Sequence, residues 1–165
     1  MTAFPVLSRL AYHPAQREAF AAGRLRERWA KLYPELFDGQ DLELARNRPR
    51  KHFYEWLAAV SLYESTGWCS LVEKYQFPRH ERKRGVLRLL GADALLDFFD
   101  TQRETFGGLQ APDLLLYDPG GADYALCEVK GPDDSLRPEQ REYFRALQDV
   151  AGRPVYVVTV RPAPF

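Results

Sequence analysis

Three residues in the last third of the chain have side chains that could act together on a substrate. Asp113 follows Pro112, and after fourteen intervening residues come Glu128, Val129 and Lys130. Two carboxylates that are forced together repel each other unless a cation lies between them, and Mg²⁺ and Mn²⁺ are hard cations that prefer oxygen ligands. A metal held in this way can polarise a phosphate and activate a water, while Lys130 would orient that water or stabilise the transition state. The pattern therefore predicts metal-dependent hydrolysis of a phosphodiester.

A β-hairpin is the element that would bring these residues together. Residues 113–117 and 124–129 are short apolar runs, and the turn-rich segment 118–123 joins them. In a hairpin the start of the first strand lies beside the end of the second, so Asp113 would meet Glu128. Because side chains alternate along a strand, Glu128 would share its face with the lysine two positions later.

The alternative interpretation is an ordinary strand end, with a capping aspartate and a solvent-facing ion pair. Cys127, Val129 and the apolar residues before them favour a buried strand instead. A buried acid needs a partner or a function, so the surroundings favour the metal site.

The remaining elements are predicted from hydrophobic periodicity, with glycines and prolines marking their ends. Residues 34–40 and the basic segment around Pro49 read as connections. Helices are predicted over 15–32, 53–67, 82–90, 92–99 and 138–150, and strands over 68–72 and 154–160. The order is helices, hairpin, helix, strand.

Composition predicts one compact, soluble and intracellular domain. The chain has 165 residues, a hydrophobic fraction of 45%, and 23 basic against 23 acidic residues, so its net charge does not point to a partner. Two cysteines without zinc-ligand spacing give no disulfide or zinc site. No signal-peptide pattern and no apolar run near the roughly 20 residues of a membrane span are present, which predicts no membrane association and a cytoplasmic location, at the nucleoid if the source is bacterial.

Residues 111–117, Ala-Pro-Asp-Leu-Leu-Leu-Tyr, and 127–143, Cys-Glu-Val-Lys-Gly-Pro-Asp-Asp-Ser-Leu-Arg-Pro-Glu-Gln-Arg-Glu-Tyr, resemble the virus-type replication-repair nuclease (VRR-NUC) domain of the PD-(D/E)XK nucleases. Upstream segments resemble the nuclease domain of a larger DNA-repair enzyme of that family. The resemblance implies an α/β fold, a restriction-endonuclease-like mixed sheet flanked by helices. It also implies a single domain over 1–165, with a helical N-terminal segment over 1–50 and a nuclease core over 51–165.

The same resemblance implies roles for individual residues. Asp113, Glu128 and the backbone carbonyl of Val129 would bind Mg²⁺ or Mn²⁺, and Lys130 would be catalytic. Gln140 matches the family's glutamine beside the active site; spacing alone equally fits a polar residue on an exposed helix face.

Members of this superfamily also carry an acid on an early helix that completes the metal site. Glu55 is the first choice because its neighbours in the second helix are aromatic and apolar. Glu18 and Glu64 are the alternatives.

Clustered basic residues are candidates for contacts with DNA phosphates, although charge runs are more often solvated helix faces. The predicted nucleic-acid-binding residues are Arg79, Arg82, Lys83, Arg84 and Lys51. Trp68, Tyr75 and Phe77 could stack on exposed bases, but a core position is favoured for them. His13, His52 and His80 are scattered and receive no catalytic role.

The predicted function is a Mg²⁺- or Mn²⁺-dependent, structure-specific deoxyribonuclease that cuts branched or flapped DNA during replication or repair. Its partners would be that DNA and either a second copy of the chain or a repair protein. Alternatives are a dimeric Holliday-junction resolvase and a non-catalytic DNA-binding module with a nuclease fold. An RNA nuclease and a restriction-type enzyme stay open.

Overall fold

The computed structural model describes residues 4–102 and 110–164. Within them, a five-stranded mixed sheet is flanked by helices, in the order β1-β5-β4-β3-β2. The pairs β1/β5 and β5/β4 are parallel, whereas β4/β3 and β3/β2 are antiparallel. This open α/β arrangement is consistent with a restriction-endonuclease-like fold and confirms the predicted fold class. The strands are β1 (Val6–Tyr12), β2 (Cys69–Val72), β3 (Leu114–Tyr117), β4 (Tyr124–Lys130) and β5 (Val155–Pro162).

The helices of the described chain pack on both faces of this sheet. They are α1 (Pro14–Ala21), α2 (Arg24–Leu32), α3 (Gly39–Asn47), α4 (Phe53–Thr66), α5 (Glu81–Leu89), α6 (Asp93–Thr101) and α7 (Pro138–Ala151). None of them is long and apolar enough to cross a membrane.

Two apolar cores separate along β4 according to the alternation of its side chains. Cys127 and Val129 pack with the first four helices, where the Trp56 and Phe37 rings stack 3.7 Å apart. Leu126 packs instead with α5, α6 and α7 around Tyr143. Every residue of β4 is buried, so polar side chains on this strand are held away from bulk water.

The N-terminal quarter differs most from the sequence-based prediction. Gly23, with φ of +101°, ends the helix predicted over 15–32 and divides it into α1 and α2. Helix α3 replaces a predicted connection; Asp38 caps it and exchanges hydrogen bonds with Asp41. Strand β1 was not predicted, because this mostly exposed edge strand lacks a clear apolar alternation.

The hairpin, α7 and the last strand are confirmed. Leu114 pairs with Cys127, which fixes the hairpin register, and Pro138 occupies the first turn of α7. The sheet therefore places the end of β4 beside the starts of β3 and α7.

Candidate metal centre

Asp113 and Glu128 lie side by side at the open end of the hairpin, each bonded to the other's backbone region. The Asp113 amide donates to Glu128 Oε1 at 3.0 Å, and the Val129 amide donates to Asp113 Oδ2 at 2.9 Å. These bonds follow from the register of β3 and β4, which sets position 113 opposite position 128. The two carboxylates are thus fixed with one oxygen each engaged by a backbone amide.

Lys130 and Gln140 both reach the second oxygen of Glu128. Lys130 Nζ lies 3.3 Å from Glu128 Oε2 and 3.7 Å from Asp134 Oδ2. Gln140 Nε2 donates to Glu128 Oε2 at 3.4 Å, while its Oε1 accepts from the Arg137 amide at 3.0 Å, at the start of α7. The structure therefore brings Gln140 to the site. Its side-chain amide is held by Arg137 on one side and contacts Glu128 on the other, so it helps to orient the Glu128 carboxylate.

Glu55 also reaches this site, from the first turn of α4. Carboxylate oxygens of Glu55, Glu73 and Asp113 lie within 4.8 Å of one another, close enough to share one ion. The two alternative acids lie elsewhere: Glu18 pairs with Arg50 at the surface, and Glu64 accepts from the Tyr33 hydroxyl.

Glu73 is the member of this group that the sequence analysis missed. It follows β2 directly, and its amide donates to the Asp113 carbonyl at 2.7 Å. Glu73 and Lys74 both have positive φ, of 54° and 61°, a conformation that residues other than glycine adopt at a cost of about 1–3 kcal/mol each. One available signal was an acid directly after a predicted strand.

A buried tyrosine and a glycine contact also fix the walls of the site. Tyr75 is fully buried and its hydroxyl donates to the Pro112 carbonyl at 2.6 Å, which holds the residue before Asp113. Gly131 packs so closely on Tyr54 that an added Cβ would lie 2.7 Å from the ring carbon Cε2. Because Tyr54 precedes Glu55 and Gly131 follows Lys130, this contact sets the distance between α4 and the end of β4.

Crowding of acids changes the proton affinity of the cluster. Burial, followed by the charges of Glu73 and Glu128, raises the pKa of Glu55 to about 8. Burial, followed by the charges of Glu128 and Glu55, raises the pKa of Asp113 well above its ordinary value. These carboxyls therefore hold protons at pH values where isolated carboxyls are ionised.

The donor set fits a divalent cation. Glu55 Oε2 is buried without a hydrogen-bond partner among the described residues, and an orphaned buried oxygen is costly unless something positive binds it. Oxygen ligands from several carboxylates suit Mg²⁺ or Mn²⁺. The Val129 carbonyl stays a predicted ligand.

Two of the predicted DNA-binding residues are corrected by the structure. Lys83 is fully buried, and its Nζ contacts Asp41 Oδ1 at 2.5 Å and the Val72 and Glu73 carbonyls. Arg84 is buried and bonds to both oxygens of Asp100. These cations face inward and are engaged by acids and carbonyls of the fold, so they are not available to DNA.

The other predicted basic residues lie at the surface. Arg79 and Lys51 are exposed, and Arg82 is partly exposed but pairs with Asp38 at 2.8 Å. A cavity of about 550 Å³ is lined by Lys74, Phe77, Pro78, Arg79 and His80, with no acid among them; Lys74 follows Glu73 in the sequence. Tyr75 belongs to the apolar core around Tyr143, and Trp68 packs against the other core. Of the three aromatic residues considered for stacking, half-buried Phe77 is therefore the one that lines this cavity.

Comparison with known proteins gives a consistent assignment. The VRR-NUC domain profile matches residues 46–162. The chain is 28% identical over 119 residues to Fanconi-associated nuclease 1 of Homo sapiens, and this match covers 67% of the chain. It spans 11% of the length of that human protein.

Proposed function

Because the chain belongs to the VRR-NUC domain family, we propose that it is a Mg²⁺- or Mn²⁺-dependent deoxyribonuclease that hydrolyses phosphodiester bonds. The observation that supports this function best is the partly buried group of Glu55, Glu73 and Asp113 beside Glu128, in which the buried Glu55 Oε2 has no hydrogen-bond partner among the described residues. Without a metal ion, the carboxylates of such a group repel each other, and a bound cation makes their proximity favourable.

In this proposal the side chains of the site hold the metal ion and orient the attacking water and the scissile phosphate. The chemistry that a bound Mg²⁺ or Mn²⁺ would supply is polarisation of the scissile phosphate and activation of a water. Asp113, Glu128, Glu55 and Glu73 would be its side-chain ligands, and Val129 would add a carbonyl. Lys130, which is itself positioned by Glu128, would orient the attacking water or neutralise charge on the phosphate. Gln140 would keep the Glu128 carboxylate in place.

The substrate strand would approach past the basic cavity at residues 74–80. Lys74 Nζ lies 5.4 Å from the centre of the Phe77 ring, and Arg79 is exposed beside it. Cationic and aromatic groups in one groove suit a nucleic-acid strand, whose phosphates contact the cations while a base stacks on the ring. The proposed contacts are therefore Lys74, Arg79 and Lys51, with Arg82 at the margin.

A replication or repair role and branched or flapped DNA are proposed as the substrate context. The human relative is called a Fanconi-associated nuclease, and this chain spans 11% of its length, so substrate choice needs evidence of its own. Purified protein should be incubated with single-stranded, duplex, 5′-flap, 3′-flap and four-way-junction DNA, with and without Mn²⁺, beside a measured solution mass. Flap cutting by a monomer supports this proposal, whereas junction cutting by a dimer supports a resolvase.

Asp113→Ala separates catalysis from binding. It removes a carboxylate proposed as a metal ligand, so metal-dependent cleavage should be lost while binding to branched DNA persists. Asp149→Ala is the matched control, because Asp149 is an exposed acid on α7 away from the site. Wild-type cleavage by the Asp113 variant would refute the site, and a wild type that cuts no DNA with either metal would favour the non-catalytic binding module.

A salt titration tests the strand path. Arg79→Ala and Lys74→Ala should weaken DNA binding and reduce the slope of log K against log [salt] by about 0.7–0.9 per lost phosphate contact. Arg88→Ala is the control, since Arg88 is an exposed cation at the far end of α5. An unchanged slope in both test variants would move the strand path elsewhere.

A further inference from the structure

His52 lies directly against Glu73, although its sequence context gave it no role. His52 Nδ1 and Glu73 Oε2 are 2.7 Å apart, and the two side chains are 13% and 23% exposed. His52 is the residue before α4, and its side chain makes no capping hydrogen bond to that helix. Its imidazole therefore faces Glu73 and does not cap the helix.

Glu73 has a fixed backbone and stands beside acids that repel its carboxylate. Its backbone is fixed, because its amide donates to Asp113 and its carbonyl accepts from Lys83. Its carboxylate faces Glu55 and Asp113, which repel it. Among the described residues, the 2.7 Å contact with His52 Nδ1 is the pairing that the Glu73 carboxylate makes with a nitrogen donor group.

The start of α4 carries both Glu55 and the residue that contacts Glu73. His52 holds Glu73, and Glu55 three residues later sits in the same group of carboxylates. A partner at Oε2 leaves Glu73 Oε1 available to a cation. Outer partners of ligating groups commonly set ligand orientation in this way, and their loss costs about 10–100-fold in metal affinity or activity.

We propose that His52 is a positioning residue of the metal centre, which donates from Nδ1 to Glu73 Oε2 and holds that carboxylate toward Glu55 and Asp113. This inference rests on the proposed function, because it requires that these carboxylates bind a divalent metal. A merely structural tie between α4 and the β2 turn would predict loss of stability instead of loss of metal affinity.

Two substitutions separate these roles. His52→Asn places an amide nitrogen close to the position of Nδ1, whereas His52→Leu keeps bulk and removes the donor. Mn²⁺ binding should be measured by isothermal titration calorimetry and by the Mn²⁺ electron paramagnetic resonance signal, beside the thermal unfolding of each metal-free protein. His52→Leu should bind Mn²⁺ about 10–100-fold more weakly, and His52→Asn should recover most of that loss.

Each outcome bears on a different claim. Wild-type Mn²⁺ affinity in His52→Leu, or equal losses in both variants, would overturn the role of His52 alone. Absence of Mn²⁺ binding by the wild type would overturn the metal proposal and this role with it. Should His52→Leu fail to fold, ¹⁵N NMR of the wild-type imidazole gives the answer: a protonated, hydrogen-bonded Nδ1 that persists in saturating Mg²⁺ supports the role, and its absence contradicts it.

Discussion

Two buried lysines, Lys83 and Lys130, face carboxylates in different parts of the molecule. Lys83 has one acid, Asp41, and its other two protons reach the Val72 and Glu73 carbonyls. All three donors of its ammonium are thus used, and its charge is matched by one carboxylate. Lys130 stands beside Glu128 in a group of acids that exceeds its single charge.

The difference fits a structural role for the Lys83–Asp41 pair and the proposed metal-binding role for the acids around Lys130. A matched pair needs nothing further, even though burial raises the pKa of Asp41 to about 6 against the opposing effect of Lys83. The acidic site keeps charges that repel each other in the absence of a cation, and buried groups with raised pKa values cluster at functional sites. We infer that the acidic site sacrifices stability of the metal-free protein for metal binding.

The largest expected effect is on stability, at the matched pair. Lys83→Met leaves Asp41 buried without its cation and should lower the free energy of unfolding by about 3–5 kcal/mol. Urea unfolding followed by circular dichroism measures this change. A loss below 1 kcal/mol would show that the pair does not stabilise the fold.

The counterpart substitution should act on catalysis. Lys130→Met removes a charge that stabilises the reacting phosphate, so the single-turnover cleavage rate in Mn²⁺ should fall by about 10²–10³-fold. Its effect on the free energy of unfolding should be smaller than that of Lys83→Met. If Lys83→Met and Lys130→Met had equal effects on the cleavage rate and on the free energy of unfolding, the two lysines would not have different roles.

A substitution at Gly131 tests whether the position of Glu55 depends on the close contact between Gly131 and Tyr54. Gly131→Ala places a Cβ 2.7 Å from Tyr54 Cε2, and overpacking of this kind costs about 1–3 kcal/mol. Because the Tyr54 ring must move and Glu55 is next to it, the cleavage rate should fall as well. Gly85→Ala is the control, since an added Cβ there meets open space. Unchanged cleavage by the Gly131 variant would mean that this contact does not set the position of Glu55.

The smallest expected effect is a gain in stability. The pKa of Glu55 is raised from 4.5 to about 8 in the folded protein. The folded state therefore keeps a proton that the unfolded state loses, and metal-free stability should fall as pH rises from about 4.5 to 8. Glu55→Gln should flatten this fall and raise the melting temperature at pH 8. A steeper fall in the variant would contradict the raised pKa.

How much of the site the sequence predicts depends on how local each contact is. Asp113, Glu128 and Lys130 were placed together because a short hairpin has one reasonable register, and the structure has that register. Gln140 reaches the site because α7 is the next element after β4, joined to it by the short segment 131–137. The VRR-NUC resemblance is confirmed, and so is the mixed sheet flanked by helices that it implied; the resemblance was recognisable because its motifs are contiguous in sequence.

Contacts between distant elements were harder to predict. Glu73 was missed because its partners, His52 and Asp113, lie 21 and 40 positions away, and its left-handed backbone has no glycine to reveal it. Lys83 and Arg84 were assigned to DNA because a charge run does not say which cations face inward. The spacing of Lys83 from buried Leu87, one helical turn, was the available signal.

Proton-linked metal binding is the most direct test that the excess acids form a metal site. Mn²⁺ should be titrated by calorimetry at pH 7 in two buffers of different ionisation enthalpy, for the wild type and Asp113→Asn. Because Glu55 and Asp113 have raised pKa values, we predict that the wild type binds Mn²⁺ with release of protons and that the variant loses this binding. No binding by the wild type, or binding without proton release that Asp113→Asn leaves unchanged, would contradict the account.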